Sequence, residues 1–135
     1  MRPISATLNS REGWIQLKSG RNQSCLLTHK KVHSVKVISG KKWFVAGTSD
    51  GVIHVYNYDN RIQKLRSFRA ASDCFITSMA VNPTRSYVLS SAYHDIKLWD
   101  WSKGWECTKS FVQEHTDTVS QVAFNPMDTN ILCFR

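Results

Sequence analysis

Val55-Tyr56-Asn57-Tyr58 and Leu98-Trp99-Asp100-Trp101 stand 43 residues apart in this chain. The same offset carries Ile53 onto Ile96, Phe68 onto Phe111, and Ala80-Val81-Asn82-Pro83 onto Ala123-Phe124-Asn125-Pro126. Several independent matches at one offset mark an internal repeat. A period of roughly 20–50 residues belongs to arrays in which each supersecondary unit buries its faces against its neighbours.

The residues inside the unit read as strands. Val32 to Ile38 alternates with period two over most of its length. Trp43-Phe44-Val45-Ala46-Gly47 is short, aromatic and ended by glycine, and Val52 to Tyr56 follows the turn signal Ser49-Asp50-Gly51. The order recurs as Phe75 to Val81, Tyr87 to Ser91 and Asp95 to Asp100. Asn82-Pro83 and Asn125-Pro126 break the chain after the first strand of their units, where proline's missing donor suits a turn. No 3.6-residue apolar stripe occurs, so helix is expected to be minor. Residues 1–28 stay outside the repeat and read as a basic leader, mobile or weakly paired, in which Trp14-Ile15-Gln16-Leu17 could form one short strand.

Length and composition narrow the class. The chain has 135 residues, 41% hydrophobic and 21% charged, a globular composition for one domain. No apolar run approaches the ~18 residues of a membrane span, and Met1 to Leu17 lacks a signal-peptide core. Cys25, Cys74, Cys107 and Cys133 are widely spaced, which points to reduced thiols rather than a zinc site or disulfide scaffold. The formal charge is +8, and residues 1–31 carry six Lys/Arg against Glu12 alone. No run of five like charges accompanies them, so the excess reads as a solvated basic face and not as a nucleic-acid site.

A period of 43 falls in the range of WD repeats, each supplying four strands to propeller blades. Residues 29–135 resemble the N-terminal WD-repeat propeller of the coatomer beta-prime family, over its second, third and early fourth blades. The resemblance rests on Lys41 to Gly47, Val55 to Asp59, Tyr87 to Ser91, Ile96 to Trp105 and Phe124 to Asn130. The Lys97-Leu98-Trp99-Asp100-Trp101 block with Lys103-Gly104-Trp105 after it is its most specific part. It implies an all-β, partial WD40 β-propeller: two nearly complete blades plus part of a third, with repeats near 29–67, 68–110 and 111–135. A family ring has seven blades, so this length cannot close one.

The resemblance also implies a non-enzymatic COPI coat protein of Golgi-to-ER and intra-Golgi transport. It would be cytoplasmic and peripheral on Golgi and vesicle membranes, with the other coatomer subunits as partners. Alternatives are a generic WD-repeat adaptor, a truncated product without activity, and, more distantly, a basic RNA-binding module.

The residues themselves offer little chemistry. His29 and His33 are four apart, but His33 sits on a strand, which dissolves a helical zinc motif. His94-Asp95 are turn neighbours and cannot orient as a triad. No nucleophile elbow or phosphate loop occurs. No catalytic residue, metal or cofactor is therefore expected.

By resemblance, His115 belongs to a structural hydrogen-bond chain with Ser90 or Ser91 and Trp99. The preceding repeat has Ala71 where such a histidine would stand. By resemblance again, the family's site for dilysine cargo tails maps onto Asp73, Tyr93 and His33. Asp73 keeps an acid, Tyr93 replaces a second one, and His33 replaces an arginine. Dilysine tails are thus expected not to bind. Trp99, Trp101 and Trp105 read as packing between blades, and Lys41-Lys42 and Lys103-Gly104 as solvated turns.

Overall fold

In the computed structural model, residues 5–9, 14–18, 22–26, 31–59, 62–72, 74–111, 119, 121–124 and 132–134 are described. They form four antiparallel sheets and two single-turn 3-10 helices. The first sheet holds β1 (Ser5–Asn9), β2 (Trp14–Lys18) and β3 (Asn22–Leu26). The second holds β4 (Val32–Ile38), β5 (Trp43–Thr48), β6 (Val52–Asn57) and β7 (Gln63–Arg69). The third holds β8 (Ser78–Val81), β9 (Tyr87–Ala92), β10 (Asp95–Asp100) and β11 (Glu106–Phe111). A fourth begins with β12 (Val122–Phe124) and β13 (Leu132–Phe134).

Each sheet is a meander in sequence order, and the first strands of successive sheets are neighbours: β1 beside β4, β4 beside β8, β8 beside β12. That is the arrangement of blades around a propeller axis, in which only radial repetition shields the faces. The fold is all-β, a partial β-propeller with two complete four-stranded blades.

Strand alternation sends side chains to opposite sides of each blade, and burial follows that parity. Val45, Ile53 and Val55 leave one side of the second blade and meet Met79, Val88, Ala92 and Trp99 from the third, all buried. Phe44, Ala46 and Tyr56 fill the other side of the second blade. Ala80, Leu89 and Ile96 pack with Val119 and Val122 towards the fourth. Fully burying one such aliphatic or aromatic side chain is worth about 1.5–3 kcal/mol. The repeat extends to its irregularities: β6 and β7 slip register at Val55/Tyr56, and β10 and β11 at Leu98/Trp99, 43 residues on. The outer strands β7 and β11 are largely exposed and bear Lys64, Arg66, Arg69 and Lys109.

Two expectations change. The strand expected over Phe75 to Val81 begins only at Ser78, because the chain ahead of it is engaged in docking onto the second blade. Ala70 N–H and Ala71 N–H both donate to Gly51 O, at 2.8 and 3.0 Å, and Ile76 N–H donates to Thr48 O at 3.1 Å. Ile76 is fully buried against Gly47, where an added Cβ would lie 2.7 Å from its Cγ2. Residues 1–28, expected to hold one short strand, hold three paired ones. Their Ser, Thr, Asn and Gln residues hide the alternation, and pairing to the central strand Trp14–Lys18 supplies what local propensity does not.

Gly51 has φ +84°, and a Cβ there would lie 2.3 Å from Ala71 O. Gly51→Ala should therefore destabilise the chain by more than the ~1–2 kcal/mol of a left-handed backbone alone, read as a lowered denaturation midpoint. Unchanged stability would mean that the crossover does not depend on this turn.

Candidate functional site

The chemistry-bearing side chains gather at the two ends of the blades. At one end lie the start of β4, the β7–β8 crossover and the β9–β10 turn. His33 is exposed on β4, and its ring packs against the half-exposed Phe75 of the crossover at 4.9 Å. Tyr93 stands in the turn with φ +57° and is 59% exposed, its ring edge-on to His94 at 4.1 Å. Its backbone carbonyl accepts from Val119 N–H at 2.7 Å. Of the three positions mapped by the dilysine resemblance, His33 and Tyr93 fall at this same end, and Asp73 lies outside the described residues. Phe75 is the residue that sequence reasoning missed; it looked like the first residue of a strand, and only the crossover's docking lifts it to the surface.

Inside the third blade, Trp99 Nε1–H donates to Ser90 Oγ at 2.9 Å, both residues being buried. Ser91 faces the opposite side: its hydroxyl meets Thr77 Oγ1 at 2.7 Å, and Thr77 Oγ1 also donates to Val119 O at 2.9 Å. Ser90, not Ser91, is thus the partner of Trp99. Ala71 is a buried methyl group in the middle core, and His115 lies outside the described residues.

The opposite end carries tryptophans and charges. Asp100 caps the 3-10 turn Trp101–Lys103, accepting from Ser102 N–H at 3.0 Å and from the hydroxyls of Ser102 and Ser86, each at 2.7 Å. The Ser102 and Ser86 bonds hold its carboxyl below the usual range. Gly104 (φ 68°) closes the turn, and its carbonyl accepts from Arg66. Trp43 packs edge-on to Trp101 at 5.6 Å, and Phe68 lies 4.5 Å from Trp99 and 5.6 Å from Trp105. Trp99 and Trp105 are buried between the blades; Trp101 is only partly so. Lys42 pairs with Asp59 at 2.9 Å across exposed surface, where solvent screens the contact. On the second blade, His54 is held below the usual imidazole pKa, first by burial and then by Lys64. Among the described residues no group of three or more His, Cys, Asp or Glu side chains could hold a metal.

Ser90→Ala would leave the Trp99 indole N–H buried without its acceptor, costing about 1–3 kcal/mol. In a Trp99→Phe background the same change should cost much less. Denaturation of the four variants of this double-mutant cycle reads the coupling; additive losses would show that the bond contributes nothing.

The family model described as WD domain, G-beta repeat matches residues 20–57 and 62–100. Each match starts on the outer strand of one blade and ends on the third strand of the next. The first therefore begins inside the segment read as a leader and takes in β3. The coatomer subunit beta'-2 of Arabidopsis thaliana and the coatomer subunit beta'-1 of rice, Oryza sativa subsp. japonica, are each 59% identical to this chain. That identity extends over 32 residues, 24% of this chain and 3% of those proteins. The zebrafish (Danio rerio) activating molecule in BECN1-regulated autophagy protein 1A is 25% identical over 121 residues, covering 87% of this chain and 9% of that protein. The chain thus spans a small fraction of the length of these relatives. Among solved structures, Chaetomium thermophilum Sqt1 bound to the N-terminus of a ribosomal protein superposes with a TM-score of 0.76 at 16% identity. The superposition covers 90% of this chain and 36% of that one, and shows a common fold. With two matched repeats over more than half of its length, the chain belongs to the WD domain, G-beta repeat family.

Proposed function

We infer that this chain is a non-enzymatic protein-interaction adaptor. The observation that carries this reading is the end of the blades where His33 on β4, and Phe75 and Tyr93 on loops pinned by the sheets beneath, present rings to solvent. Aromatic side chains held on a rigid scaffold are the usual anchors of protein interfaces. A second, finer reading is a coatomer beta-prime-like role in the COPI coat, cytoplasmic and peripheral on Golgi membranes. The 59% identity to plant coatomer subunits over 32 residues supports it. Purification of the tagged full chain from its own cells tests both. Coat subunits recovered in stoichiometric amount support the finer reading, a different stoichiometric partner supports the adaptor alone, and no partner overturns both.

In the finer reading, cargo recognition is lost. A dilysine tail calls for paired carboxylates, yet Tyr93 stands where the resemblance puts the second acid and His33 where it puts an arginine. Charge-assisted bonds are worth about 1.5–3 kcal/mol each. Losing two weakens a complex by a hundredfold or more, since each ~1.4 kcal/mol is tenfold. Titration calorimetry with a C-terminal dilysine peptide at low salt should show no saturable heat. Micromolar binding abolished by Asp73→Ala would refute this.

A further inference from the structure

At the end of the blades away from His33 and Tyr93, a groove of about 460 Å³ runs between the second and third blades. Its walls come from the end of β4 and the turn after it on one side, and from the β8–β9 loop on the other. Ile38, Val81 and Pro83 supply apolar surface beside the polar Asn82, Thr84 and Ser86; Lys41 and Arg85 are exposed on its two sides, and Trp101 completes the lining. Among the described lining residues there is no carboxylate. Asp100, the acid nearest in sequence to Trp101, is buried and occupied by Ser86 and Ser102, and Asp59 is paired with Lys42. The Lys41 ammonium lies 5.1 Å from the centre of the Trp101 ring and 5.8 Å from that of Trp43, and forms no ion pair among the described residues.

We propose that this groove binds an acidic peptide segment of a partner protein, with an apolar side chain between Ile38 and Val81 and carboxylates at Lys41 and Arg85. Two exposed cations, one on each wall of a groove that also carries apolar side chains, complement that chemistry, and the volume lies within the range of ligand clefts. The geometry favours a peptide over single-stranded nucleic acid. Bases need open aromatic faces to stack on, whereas Trp101 and Trp43 are packed against each other and lie under Lys41. Both walls belong to the two complete blades of this chain. The site goes beyond the adaptor surface inferred above, being at the other end of the blades and made of other residues.

The test uses the full chain and a fluorescently labelled peptide, acetyl-Asp-Glu-Leu-Asp-Asp-amide, read by anisotropy at low salt. Saturable binding is expected, weakened at least tenfold by Lys41→Glu or Arg85→Glu and unchanged by Lys109→Glu, which makes the same charge change on the exposed strand β11. The Lys41→Glu/Arg85→Glu double variant should instead bind the lysine counterpart of the peptide, a gain that misfolding cannot produce. No saturable binding, equal weakening by Lys109→Glu, or absence of the reversed specificity would overturn the proposal. So would equal affinity for a short single-stranded RNA lost through the same two substitutions, which would make the groove a general polyanion site.

Discussion

Two backbone donors, Ala70 N–H and Ala71 N–H, share the Gly51 carbonyl, and the rest of the molecule hangs on that junction. A blade cannot bury its own faces; it needs a neighbour held at the right distance and angle. The crossover from β7 to β8 sets that relation. Anchored at Gly51 and again at Thr48, it drops Ile76 into the space left by Gly47 and delivers β8 alongside β4. The middle core then closes, with Val55 and Ile53 on one side and Val88 and Trp99 on the other. Arg69 Nη1 reinforces the junction by donating to Asp50 O at 3.0 Å.

The sequence disclosed the inner strands and concealed the edges. Val52–Asn57 and Asp95–Asp100 each bury three of six residues, Ile53 and Ile96 among them, so period and pattern agree there, and the 43-residue offset carried both. The outer strands Gln63–Arg69 and Glu106–Phe111 are exposed, and their Lys, Arg, Ser and Gln residues give no alternation to read. The first sheet was obscured for a related reason: Asn22–Leu26 is mostly polar and becomes a strand by pairing with Trp14–Lys18. Family frame and blade frame also differ by one strand, because each matched repeat begins on its predecessor's outer edge. Reading blades directly from the repeat placed the boundary near residue 28, after that strand.

The candidate site was less legible, since exposure depends on neighbours that one strand's pattern cannot name. Tyr93 could be placed in a turn from Ala92-Tyr93-His94-Asp95, but not its contact with His94. Ser90 and Ser91 were indistinguishable until parity put Ser90 towards Trp99 and Ser91 towards Thr77. The groove at the opposite end has no linear signature: Lys41 and Arg85 line one groove only because two blades are stacked.

The tryptophans have an optical consequence. Of five in the chain, Trp43, Trp99, Trp101 and Trp105 all belong to the joint between the second and third blades. Trp43 lies within 5.6 Å of Trp101 and 6.4 Å of Trp105, close enough for their transitions to couple. Emission and near-ultraviolet dichroism of this chain therefore report chiefly one interface, with Trp14 of the first sheet as the fifth contributor. An experimenter following that light watches two blades part or stay together, while amide absorption follows the strands themselves.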